Sequence, residues 1–357
     1  PTPHAYDVVL DINKRSGFVL SQSLGLRRVS IADVQNGQGQ RGSPLLMQPR
    51  FSDDIFEHSV DAGDTVDYIS RQDHAYDVTV RDNLAFVSDG SNGLTVYDLN
   101  VVPDYGNPDT GNSPTGDHIV SNLGAGDGNP LLGRATAAEL WTDPKTGTDY
   151  AFVAAGHAGI AVVDITEVAN TDIAPDERMV LIKRFEPIKV GDEEEVGKAD
   201  GRSVDVKIVG DYAYFTYDSF GIVAYRIDDP DPLVHDLISP LPEGTDPTEV
   251  WKPGGAGYDY RPEAVARFKL QDETLGGWPE LAGWKGGALG MDTLRVSGKQ
   301  LFYVAYGDAG VIKLDWTDPA APVLKQHLNT VGDALDVTVE NGRAYVADNL
   351  GGLALIK

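Results

Sequence analysis

The chain has 357 residues, enough to bury a large core, and its 41% hydrophobic and 24% charged residues are typical of a globular protein. Asp and Glu number 55 against 29 Lys and Arg, and the net charge of −26 repels phosphate backbones, which excludes nucleic acid as an expected partner. Cysteine is absent, which excludes disulfides and thiolate metal sites, and no run of about 18 apolar residues is present to span a membrane.

A unit of three short runs recurs six times along the chain. The first copy reads HAYDVVL, GFVLSQSLG and LRRVSI, and the second reads HAYDVTV, LAFVSDGSNG and LTVYDL. The runs alternate at period two and are rich in β-branched and aromatic residues, which predicts β-strands, and no stretch of comparable strength has helical periodicity. We name the predicted strands a, b and c. The copies begin at His4, His74, Thr136, Gly201, Leu289 and Gly332.

The repeat predicts an all-β chain that folds as a single β-propeller domain over residues 1–357. The step from Asp292 to Asp336 is 44 residues, close to the length of one four-stranded blade. We prefer six blades, with cores at about 4–31, 74–99, 136–165, 201–227, 289–316 and 332–357, and a loop insertion at about 231–290. Seven blades stay open, because the 87 residues from Asp205 to Asp292 could hold two minimal blades.

A fourth strand, d, is expected between strand c of one copy and strand a of the next. HIVSNLG from His118, RMVLIKRFEP from Arg178 and PVLKQHLNTVG from Pro322 match this position. The last copy stops at strand c. We therefore expect either one blade with three strands or a missing strand upstream of Pro1, and the second alternative puts the true N-terminus in doubt.

Two residue types recur at fixed places in the unit. An acid stands near the start of each strand a, at Asp7, Asp77, Glu139, Asp205, Asp292 and Asp336. A glycine precedes each strand c, where a turn that needs positive φ favours it, at Gly25, Gly93, Gly159, Gly221, Gly310 and Gly352. Recurrence favours a structural role, in which each acid accepts backbone N–H bonds from a neighbouring turn. The alternative is a carboxylate ring that holds Ca²⁺ or another hard cation.

Residues that differ between the copies are the better candidates for ligand binding. These positions lie just before or within strand a, near the expected mouth of the central tunnel, and they are His4, His74, Arg134, Glu139, Arg202 and Asp333. Histidines, arginines and carboxylates that converge there would bind an anion, a metal or a polar ligand. The alternative is a set of solvated loop residues, and two histidines supply only half of a usual tetrahedral zinc site.

The insertion at about 231–290 concentrates aromatic residues in a Gly- and Pro-rich stretch. Tryptophan and tyrosine are enriched at binding hot spots, which makes this segment a candidate partner interface. Equally, a loop of this length needs anchors that pack it onto the propeller. The candidate interface residues are Trp251, Tyr258, Tyr260, Trp278 and Trp284.

The repeat resembles a known family. AYDVTV followed by NLAFVSDGSNGLTVYDL, and ALDVTVENGRAYVADNLGGLALI near the other end of the chain, are similar to LVIVD repeats of exported bacterial and archaeal proteins. The copies from His4 and Thr136 depart most from the pattern. The resemblance implies a propeller and an extracytoplasmic location, and it implies little about chemistry, because the motif describes a blade rather than a site. The Pro-Thr-Pro start, without an initiator Met, also favours processing and export.

These observations favour an exported, non-catalytic binding or assembly module for a protein partner, and they leave open whether the chain is an enzyme. One alternative is a metal-dependent hydrolase or lyase at the tunnel mouth, with Glu139, His4 and His74 as ligands or base. Another is the haem-free propeller subunit of a redox enzyme assembly. No cofactor is predicted, Ca²⁺ stays open as a bound ion, and the ligand and oligomeric state do not follow from the sequence.

Overall fold

The regular structure of the chain is antiparallel β-strand. The computed structural model describes residues 5–11, 16–21, 25–30, 75–100, 119–124, 132–186, 201–231, 235–248, 250, 254–270 and 286–356. Within them, single-turn 3-10 helices such as Tyr258–Tyr260 lie between strands. The predicted all-β class is confirmed. No helix in this described part is long and apolar enough to cross a membrane.

The strands form antiparallel sheets in which neighbours along the chain pair with one another. Two sheets have three strands: β1 (Ala5–Asp11), β2 (Ser16–Ser21) and β3 (Gly25–Ser30), and β20 (Asp336–Glu340), β21 (Arg343–Asp348) and β22 (Gly352–Ile356). Two four-stranded sheets are β4 (Asp77–Arg81), β5 (Leu84–Ser88), β6 (Leu94–Asp98) and β7 (Ile119–Leu123), and β8 (Ala137–Thr142), β9 (Asp149–Ala154), β10 (Ile160–Asp164) and β11 (Val180–Phe185). Two more are β12 (Ser203–Val209), β13 (Tyr212–Tyr217), β14 (Gly221–Arg226) and β15 (Ala264–Phe268), and β16 (Met291–Val296), β17 (Lys299–Ala305), β18 (Val311–Asp315) and β19 (Val323–Leu328).

The β-propeller prediction is confirmed, and the predicted blade count is wrong. The structure shows five blades, made by β4 to β22, rather than the six that we preferred or the seven left open. The described part of the interval between Asp205 and Asp292 adds one strand d, β15, and no second blade. The first copy forms a three-stranded sheet, β1–β3, separate from these five blades. Strand periodicity predicts a three-stranded meander, but it does not predict which meanders pack as blades.

The three segments that were predicted to form strand d each contain a strand. β7, β11 and β19 lie within the segments from His118, Arg178 and Pro322. β15 was missed, because AVARF is short and follows Pro262 within the long insertion. Among the described residues β22 pairs with β21 alone, so the described part of this blade has three strands.

Two of the described a–b hairpins have two-residue turns in which both residues have positive φ. Ser297 and Gly298 have φ of 51° and 79° between paired Val296 and Lys299. The same turn in the last blade has Asn341 and Gly342 at 51° and 74°. Two left-handed residues are typical of the hairpin turn whose twist matches that of the flanking strands.

Successive sheets within one compact unit pack face to face. The chain divides into two such units, residues 1–153 with 164–180 and residues 154–163 with 181–357. In the second unit, the Tyr214 ring lies 4.5 Å from that of Phe302 and 5.0 Å from that of Trp316, so β13 packs on the sheet of β16–β19. In the first unit, Val78, Ala85, Val87 and Tyr97 form a buried cluster.

Candidate functional site

The strand-a acids join neighbouring blades through backbone hydrogen bonds. The Oδ2 of Asp77 accepts the Ala138 N–H at 2.9 Å, and the Oδ2 of Asp205 accepts the Met291 N–H at 2.8 Å. The Oδ2 of Asp292 accepts the Val339 N–H at 2.6 Å. Each donor belongs to strand a of the next blade, whereas the sequence suggested a donor in a turn.

The second oxygen of the Asp205 and Asp292 carboxylates is also occupied, and Asp336 makes the same local bond. The Oδ1 atoms of Asp205 and Asp292 accept the N–H of Val206 and of Thr293, each at 2.7 Å, and Asp336 accepts that of Val337 at 2.8 Å. Burial raises the pKa of the Asp205 carboxyl, although Lys207 and the two N–H donors oppose this effect. The arrangement is a repeated structural clamp. The side chain of Asp7 lies outside the described residues.

The pre-c glycines combine a positive φ with a close approach of strand d. Gly93, Gly159, Gly221 and Gly310 have φ between 76° and 96°. A Cβ on any of them would overlap the carbonyl oxygen of a strand-d residue, and these residues are Leu123, Phe185, Phe268 and Leu328. Gly352, at φ 74°, has no atom within 4 Å of such a Cβ. Gly25 is described only as the first residue of β3.

The candidate residues before strand a are each held by a local contact. Arg202 donates from Nε to Oδ2 of Asp218 at 2.9 Å. Arg134 donates to the Tyr76 hydroxyl and stacks on the Tyr76 ring, and the Asn349 amide lies 3.5 Å from Oδ2 of Asp333. These contacts hold the chain at the start of each strand a. Within the described part, no hydrogen bond or ion pair joins Arg202 to Asp333, so the structure does not bring these two candidates together.

The metal hypothesis receives no support from the described residues. Glu139 lies in β8, directly after the Ala138 whose N–H is bound by Asp77. His4 and His74 lie outside the described residues. Across the ranges that the structure describes, no group of three or more His, Asp or Glu side chains could hold a metal ion.

The two described candidate interface residues of the insertion, Tyr258 and Tyr260, pack within that insertion. The Arg261 guanidinium stacks on Tyr258 at 4.0 Å from the ring centroid, and the ring of Tyr260 lies 4.6 Å from that of His235. Both tyrosines are half-buried. These contacts are internal to the insertion, so they test neither a partner interface nor an anchor onto the propeller. Trp251, Trp278 and Trp284 lie outside the described residues.

A buried lysine under the insertion was missed by sequence reasoning. Lys183 of β11 is fully buried, and its Nζ donates to the Asp236 carbonyl at 3.1 Å. Burial lowers the pKa of the Lys183 ammonium to about 8, and the Asp236 carboxylate offsets only part of this effect. The sequence feature that could have indicated it is a lysine within VLIKRF, a run rich in apolar residues. A lysine at that place is equally typical of a surface position in an alternating strand.

The last blade has one covered face and one exposed face. On the covered face, Val337, Ala344 and Val346 pack against Tyr303 and Ala305 of the preceding blade. The other face, which we call the open face, consists of Asp336, Thr338, Glu340, Arg343, Tyr345, Ala347, Leu353 and Leu355.

The open face exposes apolar side chains. Leu353 is 75% exposed and Leu355 is 50% exposed, and in the sheet they lie beside Ala347 and Tyr345. Adjacent exposed apolar residues of this kind mark interaction surfaces more often than scattered single ones do. The open face is therefore the strongest candidate site in the described part of the chain, and the sequence analysis did not select it.

The comparisons with known proteins agree with the repeat and the fold. The family model described as LVIVD repeat matches residues 73–100, 147–171, 200–223, 292–330 and 331–356. No curated protein matches the sequence.

Two solved structures show the same fold at low identity. The WD40 β-propeller domain of Doa1 is similar over 98% of this chain and 77% of its own, with a TM-score of 0.51 and 9% identity. A chain in the crystal structure of the mitotic checkpoint complex is similar over 100% of this chain and 75% of its own, with a TM-score of 0.53 and 7% identity. At these identities the likeness concerns the fold alone.

Proposed function

This chain is a β-propeller that carries LVIVD repeats, and from that premise we propose that it is an exported, non-catalytic module that binds a protein partner. The observation that carries the proposal is the open face of the last blade. Leu353 and Leu355 of this face are two of the seven exposed large hydrophobic residues of the described chain. Export is supported by the resemblance of the repeats to those of exported bacterial and archaeal proteins.

The chemistry of the open face suits a protein partner. It combines the apolar Leu353 and Leu355 with Tyr345 and with the charged Glu340 and Arg343. Interface cores are enriched in aromatic and apolar residues, and charged residues lie at the rim. Propellers related only by fold include WD40 domains, which makes a binding scaffold a natural use of rigid blades.

A substitution on strand b tests the open face. Ala347→Arg places a long charged side chain at its centre, and Ala320→Arg makes the same change at an exposed loop between β18 and β19. The two variants and the parent chain are used as bait with an envelope extract of the source cells, with cross-linking and mass spectrometry. We expect the parent and Ala320→Arg to retain the same protein and Ala347→Arg to lose it about tenfold or more. Equal retention by all three would contradict the proposal.

A further inference from the structure

We propose that the free edge of β22 accepts an extended strand from the protein partner, a strand that alternates apolar residues with basic or amide residues and carries no net negative charge. This inference rests on the proposed function and names the class of partner. Exposed strand edges present unpaired N–H and C=O groups, and addition of a peptide strand to such an edge is an established mode of recognition.

The other blades show what complements strand c. In each four-stranded blade, strand d pairs with c, and the carbonyl of its Leu or Phe lies against the pre-c glycine. Gly352 keeps the left-handed backbone of this arrangement, yet the space beside it is open. The last blade therefore has a preformed place for a strand-d carbonyl.

The pairing register defines the side chains that would fit. Directly after the pre-c glycine, the paired residues are Leu94 with Leu123, Ile222 with Phe268 and Val311 with Leu328. One place further along strand c, the strand-d residues are Asn122, Arg267 and His327. By the same register, Leu353 would pair with a Leu or Phe, and Ala354 with a basic or amide residue.

The unpaired backbone groups of β22 are those of Leu353 and Leu355. In the preceding blade, the Gly310 carbonyl accepts the Tyr306 N–H and so faces strand b. Because residues of a strand alternate in direction, Val311 and Lys313 face strand d. The equivalent residues of β22 are Leu353 and Leu355, and no described residue bonds to that side of them.

Two other sheet edges are covered by neighbouring loops. The Arg178 guanidinium donates to the Val120 carbonyl of β7 at 2.8 Å. The Arg184 N–H of β11 donates to the Pro247 carbonyl at 2.6 Å. Covering an edge prevents unwanted strand addition. No comparable cover lies on β22 within the described residues, which sets this edge apart.

Charge favours a basic strand donor. VLIKRF of β11 carries two positive charges, AVARF of β15 and VLKQHL of β19 carry one each with His neutral, and IVSNL of β7 carries none, so no strand d is acidic and three of the four are basic. The whole chain carries −26. Attraction between a basic segment and this surface would speed encounter and weaken with added salt.

A peptide with the sequence of β15 and its flanks, EAVARFKL, is the probe, because the chain itself uses this strand against β14. Fluorescence anisotropy measures its binding to the full chain. Leu355→Pro removes the outward N–H at an edge position that tolerates proline, whereas Leu355→Thr keeps that N–H. We expect the peptide to bind the parent and Leu355→Thr with similar affinity. Its affinity for Leu355→Pro should be lower by about tenfold or more. The same peptide with Ala266→Pro should also fail.

Hydrogen exchange identifies other occupants of the edge. We expect the Leu353 and Leu355 amides to exchange fast in the free protein and slowly with the peptide bound. Protection in the free monomer would mean that the chain fills its own edge, and protection that grows with concentration, with a doubled mass, would mean a second copy. Either result overturns the inference, as does equal peptide binding by Leu355→Pro.

The two tests fail separately. If the peptide does not bind while Ala347→Arg still loses its partner, the strand acceptor is wrong and the binding module stands. If the peptide binds while Ala347→Arg retains its partner, the open face is wrong and the edge remains a strand acceptor.

Discussion

At the scale of single residues, the pre-c glycine meets two separate demands. One is a backbone with positive φ, which all five described copies share. The other is the absence of a Cβ where the strand-d carbonyl approaches, which applies at Gly221 and not at Gly352. The two positions thus form a natural pair, in which the cost of strain can be separated from the cost of overlap.

Alanine substitution at the two glycines should give unequal losses of stability. Gly352→Ala places an alanine in an unfavourable backbone conformation, which should lower the free energy of unfolding by about 1–3 kcal/mol. Gly221→Ala introduces the same strain and also displaces Phe268, so its free energy of unfolding should fall by about 1–3 kcal/mol more. Urea unfolding of the parent and both variants measures the difference. Equal losses would show that the space beside Gly352 is filled in solution.

At the scale of elements, the insertion is fastened to β11 by buried polar groups. Asp236 accepts the N–H groups of Ile238 at 3.0 Å and Ser239 at 2.7 Å, and its carbonyl accepts the Lys183 ammonium. The insertion thereby covers an edge strand and contributes β15 to the next blade. Its aromatic residues drew attention in the sequence, whereas the anchor that the structure shows in detail is this buried pair.

The buried ammonium makes stability depend on pH in a defined window. The pKa of Lys183 is about 8 in the folded chain against an ordinary value of 10.5, so between these values the unfolded chain holds more protons. Stability conferred at this site therefore rises with pH across the window, by up to about 3 kcal/mol. Lys183→Met lacks the group. We expect the free energy of unfolding of the parent, relative to Lys183→Met, to rise from pH 8 to pH 10.5, and a constant difference would refute this.

At the scale of the whole molecule, the blades of each compact unit are joined by a repeated set of polar contacts. Isolated bridges pair Gly90 with Ala135 and Gly307 with Ala334, so a b–c turn holds the start of the next strand a. The strand-a acids add a second connection a few residues further on. Such contacts join sheets that otherwise meet through side-chain packing.

Removing one oxygen from a clamp should weaken it measurably. Asp292→Asn can accept only one of the two N–H bonds, from Thr293 or Val339, and turns a donor toward the other. We expect a loss of about 1–3 kcal/mol in the free energy of unfolding. Asp211→Asn, at an exposed hairpin turn, is the matched control and should change stability little. A similar effect of both variants in urea unfolding would argue against the clamp.

Much of this architecture could be predicted, because short-range sequence patterns determine the strands and their turns. Period-two runs gave the strands, and the glycine before strand c indicated its turn. The strand β15 escaped, since five residues after a proline carry too little pattern. The blade count was wrong for a related reason, because a three-strand repeat in the sequence does not state which sheets pack as blades.

The sequence by itself determined the repeat, the all-β class, the net charge of −26 and the residues that recur. Only the tertiary structure decided what those residues touch. The Asp77, Asp205 and Asp292 clamps join positions 61, 86 and 47 residues apart, and no local periodicity encodes such pairings. The same holds for the open face and edge of the last blade. Leu353 and Leu355 belong to a run that looks like any other strand c, and whether such a strand is covered depends on a partner strand from elsewhere.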